Sequence, residues 1–236
     1  MYSSDIDETN RYCYNLCTFN PFGEVKQVDY ANTCAMKGEP AVGIVTLDGV
    51  VLATQKRLKL KYAIGESVEK VKEIGSTMGI TFSGLFPDFR IITKLYRKTI
   101  AEFNLVHDHP LPVHCLMRSV STSMQELTQS TGVRPFGLSL LLAGFSDNRG
   151  QLYFMDAAGS NSAYKACAIG RHMHERTLFL ERKYRKRMDA EDGVSLAVQS
   201  LMLRSPRGLS ADQMEVAVVE DYGMYRIDEE TVAKYM

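Results

Sequence analysis

The chain has 236 residues, 45% of them hydrophobic and 24% charged, which is the size and composition of one globular domain with a core of its own. Its 28 lysines and arginines balance 28 aspartates and glutamates, so no net field holds a phosphate backbone or an anionic membrane against salt, and a dedicated nucleic-acid binder is excluded. The cysteines Cys13, Cys17, Cys34, Cys115 and Cys167 form an odd set without CxxC spacing, against both a disulfide framework and a thiolate zinc site and in favour of reduced thiols. No apolar run approaches the ~18 residues of a membrane helix, and Met1–Asn10 is polar. A soluble, unexported protein is expected.

In chain order, the first eleven residues have little to bury and are expected to form a flexible tail, with one domain over residues 12–236. After Pro21-Phe22-Gly23, the breaker-free stretch from Val25 to Ala35 predicts a short helix that stops at Gly38. Runs at Ala41–Thr46 and Val50–Thr54 around Asp48-Gly49 predict a hairpin. Further strands are expected over Val68–Ile74 and Met78–Gly84, with Gly75 as the turn. Pro87 and the helical spacing of Phe89, Ile92, Tyr96, Ile100 and Phe103 predict a helix that ends by His109-Pro110. A second helix is expected over Val113–Thr128.

Leu138–Phe145 and Gln151–Asp156 predict another hairpin, and Ala163–Ala168 a weaker strand. Helices over Arg171–Lys186 and Ala190–Leu203 follow, then strands at Glu215–Glu220 and Met224–Ile227 and a short helix capped by Asp228. Strands, two helices, strands, two helices and strands again make an α/β (α+β) chain. The arrangement that buries all of them is a four-layer αββα sandwich, two sheets face to face with helices outside each.

Familiar catalytic patterns are missing. His107, His109 and His114, and His172 with His174, lack the one-turn spacing that aims two imidazoles at one ion, so no metal site is expected. Neither Gly84-Leu85-Phe86-Pro87 nor Gly132-Val133-Arg134-Pro135 is a phosphate loop, and there is no Gly-x-Ser-x-Gly elbow. No cofactor is expected. The basic run Arg182–Arg187 reads as an exposed helix end favoured by the dipole. Met117, Met124 and Leu127 read as core packing.

Two segments say more. Phe19-Asn20-Pro21-Phe22-Gly23-Glu24-Val25-Lys26-Gln27-Val28-Asp29-Tyr30-Ala31 resembles the F-S-P-x-G-x-x-x-Q-x-E-Y-A signature of proteasome alpha subunits, with Asn20 for Ser and Asp29 for Glu. Gly132-Val133-Arg134-Pro135-Phe136-Gly137-Leu138-Ser139-Leu140-Leu141-Leu142-Ala143-Gly144 is similar to the family's V-R-P-F/Y-G-V-S-L-L-x-A/C-G stretch. Shorter matches at Gly49–Thr54, Ser83–Arg90, Met124–Gln129, Asp156–Lys165 and Phe179–Tyr184 extend the likeness over nearly the whole ordered chain.

The resemblance implies the N-terminal-nucleophile hydrolase fold. It also implies a non-catalytic subunit of the outer alpha ring of the 20S proteasome core, which builds the ring and controls substrate entry. In the catalytic beta relatives a processed threonine supplies both the nucleophile and, through its free amine, the base; the equivalent place here is Glu39-Pro40-Ala41. No residue is therefore expected to be catalytic. Implied partners are other alpha subunits in a heteroheptameric ring, beta subunits, and the C-terminal tails of regulatory particles or activators, with no nucleic acid and no membrane. The implied localisation is cytoplasm and nucleus.

The family's activator-tail pocket maps onto Lys70, Gly38 and Val25, where an ammonium beside an apolar groove pairs with a terminal carboxylate. Its gate cluster maps onto Tyr12, Pro21 and Tyr30, with Cys13 standing where many alpha subunits carry Asp. The helix after Pro21 and the helix over Val113–Thr128 are the expected ring contacts. The rival reading is an active threonine-type hydrolase of the same fold, and a homo-oligomeric ring is the third.

Overall fold

The computed structural model describes residues 17–57, 62, 64–205 and 208–236. The expected tail and Tyr12 lie outside the described residues. One sheet contains β1 (Ala41–Val45), β2 (Val50–Gln55), β8 (Ala166–Ile169), β9 (Met214–Glu220) and β10 (Gly223–Ile227), in the order β10-β9-β2-β1-β8. The other contains β3 (Lys72–Gly75), β4 (Met78–Gly84), β5 (Leu138–Ser146), β6 (Arg149–Met155) and β7 (Asn161–Tyr164), in that order. Every pairing is antiparallel.

Alternation along the strands builds the four layers. Leu138, Leu140 and Leu142 of β5 pack under α2 (Phe86–His107) and α3 (Val113–Gln129), joining Phe89, Ile92, Tyr96, Leu116, Met117, Val120 and Met124. Leu141 and Ala143 of the same strand face the opposite sheet and meet Ala41, Val50, Leu52, Ala217 and Val219. On the far side, Val51 and Ala53 of β2 and Val216 and Val218 of β9 pack against α4 (Met173–Lys183), α5 (Ala190–Met202) and α6 (Glu229–Lys234). Both faces of each central strand are thus covered, which is why these strands read as continuous apolar runs although they are antiparallel.

Local chemistry sets the boundaries. Asp228 accepts the Thr231 N–H at 2.9 Å and so caps α6, as its position predicts. The β5–β6 turn places Asp147 and Asn148 both at φ 56°, the left-handed pair of a tight hairpin. In the β1–β2 hairpin the Thr46 N–H donates to Gly49 O at 2.9 Å, so Leu47 and Asp48 form the turn and not Asp48-Gly49. Gly49 is needed beside it, because a Cβ there would lie 2.1 Å from Val219 O.

Four expected features differ. The strand drawn over Val68–Ile74 starts only at Lys72, because the Lys70 N–H is taken by the Glu215 carboxylate at 2.8 Å instead of by a neighbouring strand. Gly75 ends β3 opposite Met78, so Ser76 and Thr77 make the turn. Ala163–Ala168 is two strands, with Lys165 passing the chain from the edge of one sheet to the edge of the other. The helix drawn over Arg171–Lys186 is shorter: His172 sits at φ 58° before its first turn, and Tyr184 to Arg187 form a loop.

Candidate functional site

The start of β1 lies where the two sheets open at one end, and α1 (Lys26–Met36) packs across that opening against β4 and β5. Its entry is a tight turn. Asn20 Oδ1 accepts the Phe22 and Glu24 N–H groups at 3.0 and 2.8 Å, and its amide donates to Glu24 Oε2 at 3.1 Å. A short polar side chain at this place binds its own backbone two and four residues on, so Asn performs the role expected of Ser in the motif. Ala31 and Ala35 face inward, and the α1 carbonyl of Ala35 accepts the Ser83 hydroxyl at 2.9 Å.

The second motif segment is anchored beside this place by another lock. Arg134 forks onto Asp88 with Nη1 and Nη2 at 2.7 and 2.9 Å, and the Gly137 N–H adds a third bond to the same carboxylate at 2.9 Å. Burial pushes the Asp88 pKa up, but the Arg134 fork and the Gly137 N–H outweigh it and hold the acid below its ordinary value. This ties the loop before β5 to the first turn of α2.

Gly38 follows α1, and a Cβ on it would fall 2.3 Å from both Gly84 N and Ser83 Oγ, so the close approach admits only glycine. Pro40 is buried, and its carbonyl accepts both Thr54 Oγ1 at 3.2 Å and the Gln55 N–H at 3.0 Å. Neither hydroxyl at this place, Thr54 or Ser83, is directed at an acceptor that would activate it; both donate to carbonyls. At Pro40 there is no N–H, and the Glu39–Pro40 peptide runs on into β1. The chemistry of a terminal amine and an adjacent hydroxyl is absent from the described residues around this position.

Lys70 reaches into this place from the loop before β3. It is 6% exposed, and Nζ donates to Gln55 O at 3.1 Å and to Glu39 O at 3.5 Å, 5.2 Å from the centre of the Phe82 ring. Burial lowers the ammonium from 10.5 to about 8, with Glu39 and Glu215 pulling the other way. Lys70 and Gly38 are thus joined through Glu39, whereas Val25 precedes α1 at its far end as a half-buried N-cap without a side-chain bond.

Of the residues expected at the gate, Pro21 is exposed in the Asn20 turn. Tyr30 is 51% exposed beside a groove of about 180 Å³ bordered by Gln27, Cys34, Leu85, Arg134 and Pro135. Met117 and Met124 are buried in the core as expected. His107 and His109 pack about Phe103, one tilted and one edge-on, with centroid distances of 4.2 and 5.1 Å, a ring cluster at the end of α2. Among the described residues no three metal ligands converge, and no helix is long and apolar enough to cross a membrane.

The sequence reading missed the charges around the β1 start. Glu215 of β9, buried, meets Lys56 Nζ at 3.8 Å and Arg226 Nε at 3.3 Å. Glu39 meets Arg57 Nη1 at 3.4 Å and Arg171 Nη2 at 3.3 Å. Arg176, 3% exposed, donates to the carbonyls of Arg171, Leu201 and Leu203 at 2.6, 3.3 and 2.8 Å, closing the C-terminal end of α5. Apart from Arg171 and Arg176 these partners are well separated in sequence, and no local spacing announces them.

Comparison with known proteins converges with this geometry. The family described as "Proteasome subunit" matches residues 35–219. The chain is 36% identical to proteasome subunit alpha type-2 of Drosophila melanogaster over 97% of both chains. It is 34% identical to the alpha type-2 subunit of Oryza sativa subsp. indica, covering 92% of this chain and 93% of that one. It is 39% identical to a probable alpha type-2 subunit of Schizosaccharomyces pombe, covering 89% and 86%.

Proposed function

This chain belongs to the proteasome subunit family, and we propose that it acts there as an alpha-type subunit that builds the outer ring of the 20S core, helps close the substrate channel and docks regulators. It is a non-catalytic member. The observation that carries this is that Glu39-Pro40-Ala41 stands at the start of β1, under α1, where a catalytic subunit needs a threonine that processing can expose.

It assembles with other proteasome subunits. In finer terms, its neighbours are different alpha subunits in a heteroheptameric ring and beta subunits beneath, in cytoplasm and nucleus. A ring closes through heterologous contacts, one face of each subunit on a different face of the next. Regulatory tails dock in a pocket around Lys70, Gly38 and Val25, where the buried ammonium supplies a positive end to an apolar groove. Tyr12, Pro21 and Tyr30 order the gate. No cofactor takes part.

A tagged pull-down at physiological salt, with native gel, intact mass and a peptide-cleavage assay, tests this. The expected result is a large complex with other alpha and beta chains, this chain uncut at Pro40 and cleavage supplied by the beta chains. A free monomer that is processed to a new terminus and cleaves peptide by itself overturns the reading in favour of the threonine-type hydrolase. Fluorescence imaging of a fusion protein tests the two compartments.

A further inference from the structure

Positions two apart on a helix point about 200° away from one another, so His107 and His109 would stand on opposite faces if α2 continued past His107. Instead Asp108 takes a left-handed conformation at φ 52°, with its N–H on Asn104 O at 2.9 Å, and turns the chain back at the helix end. This brings the two imidazoles beside each other, their ring centres 5.7 Å apart and their planes 35° from parallel. Phe103, one turn earlier on α2, is packed against the core under the helices and touches both rings, His107 at 4.2 Å and His109 edge-on at 5.1 Å. Both histidines are exposed. The pair is therefore held on its inner side and open on its outer one.

Distance, tautomer and charge each fit this pair to a metal ion. A ligating ring nitrogen lies about 2.0–2.1 Å from zinc, so two imidazoles on one tetrahedral ion have ring centres about 5–6 Å apart, and the observed 5.7 Å is in that range. His109 Nδ1 lies 3.1 Å from Pro110 O. A carbonyl only accepts, so Nδ1 carries the hydrogen and Nε2 keeps the lone pair, the carbonyl-held arrangement that orients metal-ligating histidines. No lysine or arginine occurs between Lys98 and Arg118, and the last carbonyls of α2 present the negative end of its dipole to a cation.

We propose that His107 and His109 form a two-imidazole site for a divalent transition-metal ion, Cu(II) in preference to Zn(II), with water completing the coordination. Imidazole suits both ions, and copper binds a given nitrogen site more tightly. Among the described residues no third ligand converges with the pair, so this is a surface site that loads and releases its ion. Phe103 holds both rings in place before the ion arrives, which lowers the ordering cost of binding. The site stands at the opposite end of α2 from Phe86, about 30 Å along the helix, and does not depend on the alpha-subunit reading.

The test uses assembled core particles stripped of metal with a chelator and carrying the wild-type chain, His107→Gln or His109→Gln, each checked for assembly on a native gel. The probe is Cu(II) with ascorbate, which oxidises histidines at a bound copper ion, and 2-oxo-histidine is mapped along this chain by mass spectrometry. His114, His172 and His174 are also exposed and serve as controls within the same chain. In the wild-type chain His107 and His109 are expected to oxidise at copper concentrations that leave the three controls intact, and excess Zn(II) is expected to protect them. Loss of a ligand costs no less affinity than loss of a ligand's own hydrogen-bond partner, so His107→Gln is expected to lower oxidation of His109 at least roughly tenfold, and His109→Gln that of His107.

Oxidation of the remaining histidine that persists in these variants overturns the inference, since each imidazole would then hold copper alone. Oxidation spread evenly over all five histidines of the chain, or absent from both members of the pair, overturns it as well. Exposed positions tolerate such changes, and either variant alone decides the matter should the other not assemble.

Discussion

Two arginine–carboxylate contacts sit at the same end of this molecule and are built differently. At Asp88 the carboxylate is buried, takes both prongs of Arg134 at 2.7 and 2.9 Å, and receives a backbone N–H as well. At Glu39 one oxygen is divided between two half-exposed arginines at 3.3 and 3.4 Å. A fully satisfied buried carboxylate fixes its surroundings, because removing a partner leaves a desolvated group unpaired. A shared, half-exposed contact contributes little to stability and is open to exchange with another anion. The first holds the fold, and the second leaves donors of both arginines unused.

The largest effect that bears on this contrast is expected at Asp88. Asp88→Ala should lower stability by about 3 kcal/mol in thermal or urea unfolding, since the Gly137 N–H loses its acceptor and the α2 start loses its anchor. A loss no greater than that of Glu39→Gln would erase the distinction. The depressed Asp88 pKa gives a second handle. Its contribution is complete above the unfolded carboxylate value of about 3.9 and is lost as pH falls through the lower folded value, so wild type and Asp88→Asn should converge in strong acid.

Lys70 provides the next test, because its buried ammonium lies between the two sites' regimes. Its pKa falls from 10.5 in the unfolded chain to about 8 when folded. Between those values the unfolded chain holds more protons, so stability gains from this group as pH rises from 8 towards 10.5, by roughly 3 kcal/mol at 1.36 kcal/mol per pH unit. Lys70→Met should remove that rise; parallel pH profiles for the two proteins would show that the ammonium is not desolvated.

Smaller effects follow. Asn20→Ala should cost about 1 kcal/mol, the usual net value of a lost side-chain hydrogen bond to the backbone, and Asn20→Ser should restore most of it in the same unfolding assay. Glu39→Gln should change stability by less than about 0.5 kcal/mol, as for an exposed pair. A larger loss would show that the shared Glu39 contact holds the fold as the Asp88 fork does.

Much of the fold was legible because its strands and helices follow the periods that burial demands. The runs at Val50–Thr54 and Leu138–Phe145 announced strands, and Phe89, Ile92, Tyr96 and Ile100 announced the face of α2. The passage of the chain from one sheet to the other at Lys165 was not legible, since both halves of Ala163–Ala168 have strand composition and only their partners, β6 and β1, separate them. At the site, Glu39-Pro40-Ala41 and Lys70 could be named through the family resemblance. Lys70 looked like a strand residue and is a buried loop residue, because Glu215, 145 positions away, takes its N–H.

The sequence by itself determined the layer order, the family, and the absence of a terminal nucleophile, because period, turn chemistry and motif spacing are local properties of a chain. Only the tertiary structure decided which charges face one another around the β1 start. Arg57, Arg171, Lys70, Glu215 and Arg226 come from separate loops and strands that meet where the two sheets open. Their pairing depends on distances of a few ångströms between elements, and electrostatic energy at that range is set by geometry and burial that no spacing along the chain records.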